Sequence, residues 1–205
     1  MTKLPARLVL VRHGQSLWNL ENRFTGWTDV PLTEGGREEA RNSAGVLRAW
    51  HFDIAYTSTL CRAYETLELI LAGIGQAPPV IREPALNERH YGELQGLDKA
   101  EVARKFGAAQ VQSWRRSYAV APPGGESLQM TAERALPFFE RAIGGDLRQG
   151  KSVLVVAHGN SLRAIMMSLE ALSPEQVVDL EIRTGVPIAY ELTEQGAVRE
   201  KRILR

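Results

Sequence analysis

The sequence predicts an α/β protein with a mostly parallel central sheet, helices on both faces, one antiparallel edge strand and an inserted helical subdomain over the candidate active site. Three observations carry this expectation. Leu8–Val11 and Val153–Ala157 are short, unbroken apolar runs, and runs of that length without alternation mark parallel strands buried on both faces. Between them, apolar residues recur at helical spacing, as at Ala40, Ala44 and Leu47. The strand–helix alternation then lapses for some forty residues, which places an insertion at about 85–125 in one unit spanning 1–205.

The elements follow in order. Loop 22–33 is rich in turn formers, and Thr33 is placed to cap a helix over Glu34–Trp50. Ile54–Thr57 reads as a strand, with Ser58 and Thr59 at its carboxyl end, before a helix carrying Leu60, Ala63, Leu67 and Ile70. The Gly73–Gly75 motif follows a helix, so it reads as a helix end and not as a dinucleotide loop. A proline-bounded strand lies in 77–84, a helix is expected over Glu101–Tyr118, and Ser127 caps another that runs from Leu128 to Ile143. After the second buried strand come a helix from Leu162, a strand at Ile188–Leu192, a turn at Gln195–Gly196 and a strand at Ala197–Leu204.

Composition narrows the function. The 205 residues are 44% hydrophobic and 24% charged, with net charge +1, so no global field favours nucleic acid or an anionic membrane and the expected substrate is small. A single cysteine, Cys61, excludes an intramolecular disulfide. No apolar run reaches the roughly 18 residues of a spanning helix or makes a signal-peptide core. A cytoplasmic protein is the expectation.

Both buried strands run into a histidine and a glycine: Arg12, His13 and Gly14 after the first, His158, Gly159 and Asn160 after the second. Carboxyl ends of strands are where ligands bind in open α/β sheets. Neutral imidazole is a competent nucleophile for phosphoryl groups, a second, protonated imidazole stabilises their charge, and Arg12 offers a planar donor fork. Arg62 falls in the first turn of its helix, near the same edge if the strands are parallel, although a solvated helix residue is the plain alternative. Glu88 is the candidate proton carrier, with an ordinary ion pair to Arg89 as its alternative. His51 reads as structural or solvated; His90 lies in the polar loop and is left open. No metal is expected, because arginine, glycine and asparagine flank the histidines where a metal would want carboxylates.

Arg12–Asn19 (RHGQSLWN), Phe24–Trp27 (FTGW), Glu88–Tyr91 (ERHY), Leu94–Lys99 (LQGLDK), the pair Arg115 and Arg116, and His158–Asn160 (HGN) together resemble the cofactor-dependent phosphoglycerate mutases of the histidine phosphatase superfamily. The resemblance spans nearly the whole chain. It implies that His13 is phosphorylated, primed by 2,3-bisphosphoglycerate, and that phosphoryl passes between the 2- and 3-hydroxyls of phosphoglycerate in glycolysis and gluconeogenesis while Glu88 moves the proton. Arg12, Arg62 and His158 would hold the transferring phosphoryl, with Ser16, Asn19, Thr25, Gly26, Gly159 and Asn160 lining that pocket. Tyr91, Lys99, Arg115 and Arg116 would take the other end, and Gly14, Gln15, Leu17, Trp18, Arg89 and His90 are carried over as further substrate-binding positions. A homodimer is a guess from the resemblance only.

Asp98 stands where relatives usually have asparagine, and Ala119–Gly125 is shorter than the loop many carry. Many relatives also have a C-terminal tail that shields the site, whereas VREKRILR leaves little to fold over it. Closure is therefore expected to rest on 87–99 and 119–125, with faster hydrolysis of the phosphoenzyme than in a tailed relative. Two other classes stay in view: a phosphatase using the same phosphohistidine, and a non-catalytic phosphate-binding protein.

Overall fold

In the computed structural model, which describes residues 6–193 and 195–205, the first apolar run becomes β1 (Ala6–Arg12), and Leu8–Val11 are at most 1% exposed. A one-turn helix α1 (Leu17–Leu20) and α2 (Glu34–Leu47) precede β2 (Ile54–Thr57), α3 (Cys61–Ile74) and β3 (Val80–Arg82). The insertion holds α4 (Lys99–Phe106) and α5 (Ala108–Arg116). The chain then runs through α6 (Leu128–Phe138), α7 (Gly144–Arg148), β4 (Ser152–Ala157), α8 (Gly159–Glu170), α9 (Pro174–Asp179), β5 (Ile188–Leu192) and β6 (Val198–Ile203).

Among the described residues the strands form one sheet in the order β3-β2-β4-β1-β5-β6. The pairs among β1 to β4 are parallel; β5 runs antiparallel to both β1 and β6, which makes an antiparallel pair at one edge. Alternate residues of the central strands feed two cores. Val9, Val11, Ala55, Leu154 and Val156 pack against Leu47, Leu67 and Ile70 of α2 and α3. Leu8, Leu10, Tyr56, Val153 and Val155 pack on the other face against Phe138, Leu162 and Ile165 of α6 and α8. Burial on both faces explains why neither strand alternates in sequence.

The cap expectations hold: the Thr33 hydroxyl accepts from Gly36 N (3.0 Å) and that of Ser127 from Met130 N (3.1 Å). Gly75, at φ 67°, closes α3, so the Gly73–Gly75 motif is a helix end.

Five features differ from the sequence reading, the first being that α2 ends at Leu47 and not at Trp50. The helix expected over Glu101–Tyr118 is two helices, because Gly107 at φ 86° breaks it. The helix from Leu128 widens into a π turn at Phe139–Ile143, just after Pro137, which has no N–H to give to the ladder. α8 begins at Gly159, three residues ahead of Leu162. α9, capped by Ser173, was not foreseen; its one buried residue, Val177, is too little to make a period.

The insertion carries its own small core, where Val102, Val111 and Trp114 pack with Leu94 and with Phe24 from the loop before α2. That contact ties the insertion to the segment after β1, across the carboxyl ends of the strands.

Candidate active site

Parallel pairing of β1 with β4 sets Arg12 opposite Ala157, and His13 N donates to Ala157 O at 3.0 Å. The two histidines, 145 positions apart in sequence, therefore emerge side by side, with ring centroids 4.9 Å apart and planes tilted by 59°. Gly14 permits the turn that follows, because a Cβ there would lie 2.2 Å from Gly36 O at the start of α2.

The His13 ring is buried, and its Nδ1 sits 2.7 Å from Gly14 O, an acceptor only. The ring proton is therefore assigned to Nδ1, leaving the Nε2 lone pair to attack. Burial first, then the electrostatic influence of the neighbouring His158 ring and the positive charge of Arg62 and Arg12, holds the pKa of His13 well below the ordinary imidazole value. The nucleophile is neutral at neutral pH.

His158 is fully buried, and burial with Arg62, Arg12 and Arg134 also keeps it well below the ordinary value. These surroundings favour the neutral ring, and the protonated form expected from sequence would need the negative charge of a phosphoryl group beside it. Its Nε2 lies 2.7 Å from Ser58 Oγ, and that oxygen already accepts from Leu60 N. The hydroxyl keeps its proton and a second lone pair, so it can pair with either tautomer of the ring, whose Nδ1 is a buried nitrogen without a protein partner. Neutral His158 still offers one donor.

A cleft of about 170 Å³ opens beside His13. Its lining includes Arg12, Asn19, Thr25, Gly26, Arg62, Glu88, Tyr91, Lys99, Arg115, Arg116, Gly159 and Asn160 from the sequence-derived set. Arg62 is 1% exposed and donates to Thr28 O (3.1 Å) and Gly26 O (2.8 Å), which displaces its reading as a solvated helix residue. Burial lowers its pKa to about 10, so it remains cationic at neutral pH. Arg12 donates from Nη1 to Ile182 O at 2.9 Å, and its buried Nε has no protein partner. An unpartnered buried guanidinium nitrogen is costly unless a ligand satisfies it.

Glu88 is not paired with the Arg89 guanidinium. Its Oε1 accepts three N–H groups, from Arg89 N (2.8 Å), Asn160 N (3.1 Å) and Asn160 Nδ2 (2.9 Å), while no donor among the described residues reaches Oε2. One oxygen is anchored and the other is free to exchange a proton. Burial would raise this carboxyl, but these bonds and the nearby Arg12 and Arg62 outweigh it and leave the pKa below its ordinary value. The Glu88 backbone is fixed as well, its carbonyl accepting from Trp27 Nε1 (2.5 Å) and Arg134 Nη2 (2.8 Å).

Lys99, Arg115 and Arg116 stand at the end of the cleft formed by the insertion. Burial, then Arg115 and Arg12, lowers the Lys99 pKa to about 8. Asp98 accepts from Ala100 N and Glu101 N (both 2.9 Å), so the residue that departs from the family pattern caps α4.

Other sequence-derived positions support the lining without forming it. Ser16 caps α1 in a reciprocal pair with Asn19. Gln15 is tied to α2, its N donating to Glu39 and its amide oxygen accepting from Thr33. Leu17 is 39% exposed, and the Trp18 ring covers Gly96. Arg89 is fully buried and donates to Tyr91 Oη (3.0 Å) and Arg115 O (2.9 Å). His90 accepts from Gly92 N and meets Trp27 edge-on, bracing the loop. His51 is solvated, 3.6 Å from Asp53.

The sequence reading missed Arg23, Phe24 and Arg163, which also line the cleft. Arg163 was detectable, since it lies one helical turn after Gly159 and so shares a face with it. Among the described residues no group of three His, Cys, Asp or Glu side chains is arranged to hold a metal.

Residues 8–201 match the model of the histidine phosphatase superfamily (branch 1). The chain is 58% identical to 2,3-bisphosphoglycerate-dependent phosphoglycerate mutase 2 of Gloeobacter violaceus, covering 93% of this chain and 88% of that one. It is 55% identical to the 2,3-bisphosphoglycerate-dependent phosphoglycerate mutase of Cytophaga hutchinsonii, over 92% and 88% of the two chains. A solved mycobacterial glucosyl-3-phosphoglycerate phosphatase in complex with VO3 superimposes with a TM-score of 0.83 at 28% identity, over 97% of each chain. Paired strand-end histidines, a buried arginine clamp and this match over nearly the whole length lead to one conclusion: the chain belongs to the histidine phosphatase superfamily, branch 1.

Proposed function

We propose that this protein interconverts 3-phosphoglycerate and 2-phosphoglycerate through a phosphohistidine at His13, a step of glycolysis and gluconeogenesis. The observation that carries this reading is the charge layout of the cleft. Cations stand at both ends, Arg12 and Arg62 beside His13 and Lys99, Arg115 and Arg116 at the insertion, with a single carboxylate, Glu88, among them. A substrate with a phosphate at one end and a carboxylate at the other needs two cationic ends, whereas removing one phosphate needs only one. The relatives above 50% identity carry the corresponding name.

The unpartnered Arg12 Nε and His158 Nδ1 suit phosphoryl oxygens, and the remote cations suit a second phosphate or a carboxylate. That chemistry fits 2,3-bisphosphoglycerate, which supplies the phosphoryl group that charges His13. In the proposed mechanism, His13 Nε2 attacks phosphorus in line with the leaving hydroxyl oxygen. Glu88 Oε2, ionised at rest, takes the proton of the hydroxyl that attacks the phosphohistidine and returns it to the leaving oxygen when His13 Nε2 attacks the other phosphoryl of the bisphosphorylated intermediate. Arg12, Arg62 and His158 Nδ1–H stabilise the charge on the transferring group. Lys99, Arg115 and Arg116 hold the end that does not react.

No helix among the described residues is long and apolar enough to cross a membrane; a cytoplasmic location, with a second copy of the chain as the protein partner, completes the proposal.

The test is to incubate the protein with 3-phosphoglycerate and a trace of 2,3-bisphosphoglycerate and to follow 2-phosphoglycerate and free phosphate. Isomer without phosphate supports the mutase. Phosphate alone indicates a phosphatase, the reading favoured by the name of the mycobacterial structure. Neither product leaves a binding protein.

A further inference from the structure

We propose that Arg163 is a positioning residue for Glu88, acting through the side-chain amide of Asn160; the catalytic half of this inference rests on the proposed function. Asn160 can donate from Nδ2 to Glu88 Oε1 only while its own Oδ1 faces the other way, and there it meets Arg163 Nη1 at 3.4 Å. The amide thus lies between a carboxylate and a guanidinium. Rotating it by half a turn would set an oxygen against the carboxylate and an NH2 against the cation, so both charges favour the one orientation that serves Glu88. At 3.4 Å the Arg163 contact is long for a hydrogen bond. It acts mainly as charge on dipole.

Arg163 is itself fixed. Its Nε donates to Leu180 O at 2.9 Å. The carbonyls two residues to either side hold two other cleft arginines, Val178 O accepting from Arg116 Nη1 (3.2 Å) and Ile182 O from Arg12 Nη1 (2.9 Å). Alternate carbonyls at the end of α9 and just after it therefore set three guanidiniums from α5, α8 and β1. Gly159 makes room for this, since a Cβ there would lie 3.3 Å from Arg163 Nη1 and 3.7 Å from Arg12 Cζ.

The charged groups around Glu88 are Arg12 on β1, Arg62 on α3 and Arg163 on α8, with Arg134 of α6 bonded to its backbone carbonyl. Removing Arg163 leaves Arg12 and Arg62 in place, but it frees the amide to turn. Oε1 then loses one of its three donors for part of the time, and the carboxyl becomes easier to protonate.

The experiment is a ¹³C NMR titration of the Glu88 carboxyl without substrate, assigned with Glu88→Gln, in wild type, Arg163→Ala and Arg163→Lys, beside kcat and KM against pH. In Arg163→Ala the titration midpoint is expected to rise by about one pH unit, as befits one charge-assisted hydrogen bond. The acidic limb of kcat should follow it, with kcat near neutrality about tenfold lower and KM within about threefold. Arg163→Lys keeps the charge but not the fork, so its midpoint should lie between the other two; it carries the test if the alanine variant does not fold. An unmoved midpoint overturns the proposal, and so does a KM raised more than tenfold at constant kcat, which would make Arg163 a substrate ligand. The carboxyl titration needs no turnover, so it stands even if the wild-type assay yields phosphate and no isomer.

Discussion

Arg134 of α6 is the brace beneath the loop that carries Glu88, and replacing it with methionine removes that brace at nearly constant length. Its Nε and Nη2 form a two-pronged pair with Glu126 Oε1 and Oε2, both at 2.9 Å, while Nη1 and Nη2 donate to Ala85 O and Glu88 O at 2.8 Å. The pair is 20% and 15% exposed, and the Glu126 carboxylate also accepts from His90 N. Deleting one partner of a buried pair costs roughly 3–5 kcal/mol, and partial exposure points to the lower end, about 3. For a chain of this size that converts to a fall in Tm of roughly 6–12 °C. The assay is thermal and urea unfolding of wild type, Arg134→Met, Glu126→Gln and the double variant, with an expected coupling of about 2 kcal/mol. Burial would raise the Glu126 carboxyl, but Arg134 and the His90 N–H hold it below the ordinary value. A depressed carboxylate contributes stability above its unfolded pKa of about 4.3 and loses it as pH falls through the folded value. The gap between wild type and Arg134→Met should therefore narrow below about pH 4. A Tm loss under about 2 °C, or coupling below about 0.5 kcal/mol, would refute the reasoning.

Other perturbations reach the chemistry more directly. His13→Ala should abolish acid-labile labelling along with turnover, and a variant that still labels would remove His13 as the nucleophile. Glu88→Gln keeps the anchoring bonds to Oε1 but exchanges no proton, so kcat should fall at least 100-fold with the fold intact by circular dichroism. Because Lys99 loses its charge above about pH 8, kcat/KM for phosphoglycerate should decline through that pH, and Lys99→Arg should flatten the decline. Gly14→Ala would press a methyl against Gly36 O at 2.2 Å; it should cost about 1–3 kcal/mol of stability and displace His13, read as loss of labelling beyond what unfolding explains.

The sheet and both strand-end histidines were legible in the sequence because each rests on a local signal, whereas most of the cleft lining followed only from the family resemblance. Unbroken apolar runs gave β1 and β4, and the residues after them fell where strands end. What stayed hidden depends on which way a side chain turns after the fold has formed. Ser16, Gln15 and His90 sit within motif stretches, yet they spend their polar atoms on a cap, on α2 and on the loop backbone. The depth at which His158 is buried beside Arg12 and Arg62 stayed hidden for the same reason, since sequence gives only its neighbours along the chain. Gly107 was visible as a residue, but that it breaks a helix emerged only from its φ of 86°.

The pairing of β1 with β4 makes the sheet a ruler for the two histidines. One residue inserted or deleted within either strand would shift one ring by about 3.3 Å and turn its side chain to the opposite face. Between His13 and His158 the same constraint acts at β2, which pairs in parallel with β4, whereas the loops outside the strands escape it. Loops and helices there can lengthen or shorten while the rings stay in step. Changes of chain length should therefore gather in the loops between the strands and be absent from 8–13, 54–58 and 153–158. A library of single-codon insertions along the gene, sorted for acid-labile labelling, would display that division as short intolerant windows at β1, β2 and β4 separated by permissive loops.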